Sequence, residues 1–159
     1  MDRLYERSSR RCEAGTLDPV VRDAIAAHAE AHQLGDVLGA AWWCCETRST
    51  RLKRPGLLAR LTKSGDPDKE HTTVALILPR YLVVAVAGEQ RGVHVRSIRL
   101  EDVSVGRGLA SNIDTGVSAT GLWTAATEPA SFYIGLGDDA DGKAFLDTLR
   151  GAIAEVKST

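Results

Sequence analysis

From position 72 to 105 the chain runs through stretches dense in Val, Ile, Leu, Ala and Thr, with only short polar or Gly-bearing breaks between them. Thr72–Leu78 and Tyr81–Ala87 are separated by Pro79-Arg80 alone, which predicts two antiparallel strands joined by a tight turn. Val93–Leu100 and Val103–Val105 continue the pattern, and Val117–Thr124 and Phe132–Leu136 extend it beyond further turn residues. Upstream, Val37–Arg48 carries Trp42, Trp43, Cys44 and Cys45 and reads as one more strand, making seven at meander spacing. A long connection with Pro55, Gly56, Gly65 and Pro67 covers residues 49–70.

Two segments change period from two to between three and four. In the first, Asp18 and Pro19 suit the N-cap and first turn of a helix whose apolar face carries Val21, Ile25, Ala29 and His32, with Gly35 as its stop. That helix is short of large side chains and is expected to cover Trp42 or Trp43, only one of which faces the core of a simple strand. In the second, Asp139 or Asp141 caps a helix that repeats Phe145, Leu146, Leu149, Ile153 and Val156 on one side, with Lys143, Asp147, Arg150 and Lys157 on the other. Residues 1–15 have four arginines, three acids and no sustained apolar period, and so predict a loose arm.

Composition narrows the class. With 159 residues, 43% of them hydrophobic, the chain predicts one globular domain; the 20 Lys+Arg against 21 Asp+Glu exclude a strongly basic nucleic-acid binder. No apolar run approaches the ~20 residues of a membrane span, and the first residues lack a secretory pattern. Of the three cysteines, Cys44 and Cys45 are neighbours on one strand and point to opposite faces, poorly placed to bond each other. A reducing cytosol fits best.

The order of seven antiparallel strands followed by one amphipathic helix resembles the pleckstrin-homology (PH) superfold, in its bacterial PH/GRAM-like form. The resemblance runs over about residues 37–157 and is carried by LILPRYLVVAVAG (76–88), VRSIRLEDVSV (95–105) and FYIGLGDDADGKAFLDTLRGAI (132–153). It implies a mainly β protein: a seven-stranded sandwich or barrel of two nearly orthogonal sheets, one end closed by the C-terminal helix, with an added N-terminal helix. The organisation expected is a flexible arm over 1–16, an N-terminal helix over 17–36 and a PH-like domain over 37–159. Phe145 stands in the helix where many eukaryotic members have Trp.

Between Thr47 and Ser64 the chain holds Arg48, Arg51, Lys53, Arg54, Arg60 and Lys63 and no acid. The resemblance places this basic connection where PH domains meet anionic headgroups, with Lys53 matching the lysine that ends the first strand. At the second strand Lys69 is followed by Glu70 and His71, without the Arg of the lipid-binding pattern. Leu57, Leu58 and Leu61 lie among the cations, as membrane-inserting or sheet-packing residues.

Other motifs are incomplete. His28 and His32 share a helix face at metal-ligand spacing but lack a nearby third ligand. Gly106-Arg107-Gly108 lacks a following helix, and Gly116-Val117-Ser118 lacks the final Gly of a nucleophile elbow. An Asp139–Gly142 calcium loop would need acids at Gly137 and Thr148. The expectation is therefore a non-catalytic binding or scaffolding module, without cofactor, cytoplasmic or peripheral to the inner membrane face. Its partner would be another protein or a second copy, with the basic loop 47–63 meeting an anionic ligand or membrane surface, and no specific nucleic acid. The alternative is a ligand-binding or enzymatic β-barrel with its site near Trp42, Trp43, Cys44 and Cys45.

Overall fold

The computed structural model describes residues 4–52, 68–106 and 115–158, and over these the chain builds two antiparallel sheets and two packing helices. In chain order these are β1 (Tyr5–Cys12), α1 (Pro19–Ala31), the single turn α2 (Val37–Ala40), β2 (Trp43–Arg51), β3 (Glu70–Ile77), β4 (Tyr81–Gly88), β5 (Gly92–Arg99), β6 (Val103–Gly106), β7 (Gly116–Gly121), β8 (Ala130–Gly135) and α3 (Ala140–Lys157). The first sheet has the order β1-β2-β3-β4-β5 and the second β6-β7-β8. Among the described residues no ladder joins them into a closed barrel.

Each of the seven expected segments contains a strand among the described residues, but the one expected over Val37–Arg48 begins only at Trp43 because Val37–Ala40 turn as α2 under an Asp36 cap; an eighth strand precedes them. Residues 5–12, expected as part of a loose arm, pair along their whole length with β2, from Tyr5 opposite Arg51 to Cys12 opposite Cys44. The segment is polar because it is an edge strand with one face toward solvent: its burial alternates up to Ser9, the one buried position of the strand. Its free edge is not left open. Ser9 N–H donates to Asp139 Oδ2 at 2.9 Å and Arg11 N–H to Asp141 Oδ2 at 2.9 Å, so the first turn of α3 satisfies the donors a neighbouring strand would have taken. Asp139 also caps α3 through Oδ1, which accepts from Gly142 N–H at 2.9 Å.

Strands β3 and β4 are buried on both faces, which explains their nearly unbroken apolar run. Ala75, Ile77, Leu82 and Val84 point into a main core shared with the second sheet and with Phe145, Leu149 and Ile153 of α3. Val74, Leu76, Val83 and Ala85 point the other way, into a second core closed by Val21, Ile25 and Ala29 of α1. The N-terminal helix thus covers the outer sheet face and not a tryptophan. Trp43 packs on the main core beneath the Arg11 guanidinium, 3.5 Å from its ring centre, while Trp42 precedes β2 and is half exposed.

Helix α1 starts as its sequence predicts, with Asp18 accepting from Val20 N–H at 2.9 Å. It ends before Gly35: Gln33 takes a φ of 57° and Leu34 N–H reaches back to Ala29 C=O at 2.9 Å, closing a Schellman-type stop. In α3, Lys157 lies on the exposed side as expected, and its Nζ also donates to Val103 C=O at 2.7 Å, tying the helix end to β6. Among the described residues no helix is long and apolar enough to cross a membrane.

Candidate functional site

Helix α1 covers only part of the outer face of the first sheet. What it leaves is a groove of about 980 Å³, bounded by the N-terminus of α1 on one side and by the β4–β5 turn on the other. Its floor follows from strand alternation. Arg10, Glu46 and Val74 lie side by side on β1, β2 and β3, and Arg48, Thr72 and Ala87 make the next rung across β2, β3 and β4. The charges are mixed: five carboxylates line the groove against the cations Arg10, Arg48 and Lys69. Arg10 and Glu46 are paired at 3.0 Å, with the arginine largely in solvent, so this pair orders the floor more than it stabilises the fold. At the turn, Asp68 is buried and holds Arg91 Nε at 3.1 Å and the Gln90 N–H at 2.7 Å, which fixes the groove wall.

Of the six cations expected to bind an anion, Arg48 is on the groove floor and Arg51 ends β2. Lys53, Arg54, Arg60 and Lys63 lie outside the described residues, as do Leu57, Leu58 and Leu61. Arg48 sits among acids here and not in an all-basic patch.

The inner face of the first sheet turns polar where β1 meets the end of β8. Arg7 points inward there, with Nε donating to Ser49 Oγ at 2.8 Å and Nη1 to Thr115 C=O at 3.1 Å. Its guanidinium lies 4.5 Å from the Tyr5 ring centre and 5.8 Å from that of Tyr133. Gly135 makes room for it, since a Cβ at that position would overlap Arg7 Nε. Burial holds the Arg7 pKa below its ordinary value, and burial followed by the nearby Arg7 charge does the same to His71. Burial raises Tyr133. Ser9 and Thr47 bond hydroxyl to hydroxyl at 2.6 Å in the same interior, and Gly137 N–H donates to Ser9 Oγ at 2.8 Å. Arg7, Ser9, Thr47 and Ser49 are hydrogen-bonded within this interior, while the buried Tyr133 hydroxyl has no hydrogen-bond partner among the described residues.

The cysteines are arranged differently from the sequence expectation. Cys44 and Cys45 do face opposite sides of β2, but Cys44 has a partner in Cys12, directly across the β1–β2 ladder, with Sγ atoms 2.8 Å apart. Nothing in residues 1–15 taken as an arm would place Cys12 there; the strand would have had to be recognised first. Cys45 faces the main core, its thiol pushed up to about 11 by burial against the lowering effect of Ser9 and Thr47.

The remaining motifs resolve into structural roles. His28 Nε2 meets Ser97 Oγ at 2.9 Å, its pKa lowered by burial and then by His32, whose ring centre is 4.5 Å away. Among the described residues no group of three or more His, Cys, Asp or Glu side chains is placed to hold a metal. Gly116, Val117 and Ser118 lie within β7 and make no elbow, and Asp139 serves as the helix cap. Residues 107–111 of the Gly106 motif lie outside the described residues. No family model, curated protein or solved structure matches the chain.

Proposed function

We propose that this chain is a non-catalytic binding module of PH-like type, and that the groove on its outer sheet face receives a segment of a partner protein. The observation that carries the reading is the groove's mixed-charge floor. Carboxylates and guanidiniums alternate there with Thr72, Val74, Ala87 and Val93, a surface suited to a peptide that brings both charge signs and small apolar side chains. A polyanionic headgroup would instead meet Asp18, Glu70 and Glu89, with Glu46 already paired to Arg10 and Asp68 to Arg91. The packing supports the same choice. Both cores are filled by side chains such as Ile25, Leu76, Ile77 and Phe145, all below 2% exposed, which leaves the recessed surface on the outside. The succession of two sheets and a closing C-terminal helix favours the PH-like assignment, with β1 added at the edge of the first sheet.

Selection of a random peptide library on the full chain tests the proposal. Enriched peptides should carry both charge signs around an apolar residue, and Arg48→Glu or Thr72→Arg should weaken them by about tenfold or more without changing the melting temperature. Peptides that bind the variants equally well would overturn the groove as the site. Sedimentation with acidic but not neutral vesicles, in a chain that selects no peptide, would replace the reading with the anionic-surface one.

A further inference from the structure

We infer that Cys12 and Cys44 form a reversible disulfide site that takes a low-molecular-weight disulfide as its oxidant, with Cys12 as the attacking sulfur. Three observations place the two sulfurs for that bond. The residues are directly opposed in the antiparallel β1–β2 ladder. Because Ser9 and Arg11 send their N–H groups outward to α3, the alternate residues Ser8, Arg10 and Cys12 are the ones bonded to β2. Opposed residues of that kind have Cα atoms about 5.5 Å apart, within the span of a disulfide. Finally, the side chains already converge to 2.8 Å between sulfurs, well inside ordinary contact of two thiols.

The two thiols are not equivalent. Cys12 is part-exposed at the end of the edge strand, while Cys44 is buried in the second core beneath α1. The contact between the two sulfurs lowers the Cys12 pKa, while the same contact and burial raise that of Cys44. The accessible sulfur is therefore the better nucleophile and the buried one the resolving thiol. In the first step Cys12 attacks the oxidant RS–SR: a Cys12–SR bond forms, the RS–SR bond breaks, and RS⁻ leaves with the proton that Cys12 gives up. In the second, Cys44 loses its proton and attacks Cys12 Sγ, so that the Cys12–Cys44 bond forms as the second RSH departs. Two protein thiols are oxidised and one RSSR is reduced to two RSH. Cys45 takes no part, because it faces the main core on the other side of β2.

The bond would close a loop of sequence separation 32 that contains α1 and α2, fastening the helix that walls the groove at both of its ends. Equilibration of the full chain in glutathione buffers of graded redox poise, followed by alkylation of free thiols, reads it directly. The expected product has lost two hydrogens, carries a single linkage mapped to Cys12 and Cys44, leaves Cys45 alkylated, and reverts with dithiothreitol. The oxidised chain should melt roughly 10 °C above the reduced one, a difference absent from Cys12→Ser. Three alkylated thiols under oxidising poise, a linkage that includes Cys45 or joins two chains, or equal melting of oxidised and reduced wild type would each overturn the inference.

Discussion

The two faces of the first sheet are built from the same strands and solve the burial problem differently. The inner face is enclosed by the second sheet opposite and α3 along the side, and it takes large side chains: Phe145 and Trp123, with Phe132 edge-on to Trp123 at 5.1 Å. The outer face is closed mainly by Val21, Ile25 and Ala29 of α1, with Leu17 before it and Val37 of α2 beside it, and beyond that helix it opens into the groove. A side chain removed from the inner core leaves a hole that no element is free to fill. One removed from beneath α1 leaves a hole that a single surface helix can settle into. Enclosure, more than the apolar content of β3 and β4, sets how costly a defect is.

The largest expected effect follows from that contrast. Phe145→Ala should cost about 3–5 kcal/mol, and Ile25→Ala, at an equally inaccessible position, about 2–3 kcal/mol. Denaturant titration of the two variants side by side measures the gap. Equal losses would mean that the outer layer is as rigidly enclosed as the inner one.

Asp139→Ala comes next, at about 1–2 kcal/mol, because one carboxylate is lost both as cap of α3 and as acceptor for the Ser9 N–H. Asp139→Asn should recover most of this, since the amide oxygen still accepts one of the two bonds. An alanine variant as stable as wild type would show that the β1 edge is held by its ladder alone.

The smallest effect is a pH dependence, and it separates the faces again. His28 on the outer side and His71 on the inner side both have folded pKa values below the ordinary 6.5, mainly through burial. The folded chain then binds these protons more weakly than the unfolded chain does. Their contribution is intact above 6.5 and is lost as pH falls into the window between 6.5 and the lower folded values. Urea midpoints should fall on moving from about pH 7.5 to pH 5.5, and His28→Gln and His71→Gln should each remove part of the slope. A slope unchanged in both variants would assign the dependence to other groups.

Much of this architecture was legible in the sequence, because the seven later strands and α3 bury enough apolar surface to leave a periodic trace. The edge strand β1 left none. Its inward positions are Tyr5, Arg7, Ser9 and Arg11, and what they meet is polar: Ser49, Thr47, and the Trp43 ring under Arg11. A strand stabilised by hydrogen bonds and stacked cations reads as an arm when only hydrophobicity is followed. The Cys12–Cys44 pairing was hidden with it, as was the correct reading of which residue α1 covers. The groove could not be read either, since Arg10, Glu46, Arg48 and Thr72 become neighbours only through the ladder register. The basic connection stood out by composition, yet its first member, Arg48, takes its surroundings from acids that are distant in sequence.

The carboxylates that seal the β1 edge lie 130 positions downstream of the amides they satisfy. In a chain made from its N-terminus onward, β1 is therefore synthesised well before the groups that secure its edge. Until α3 emerges, a nascent chain carries a strand with vacant donors along one side, and chains crowded on one messenger could pair there with each other. Completion of α3 ends that hazard, so a later-made helix acts as the latch on an earlier-made strand.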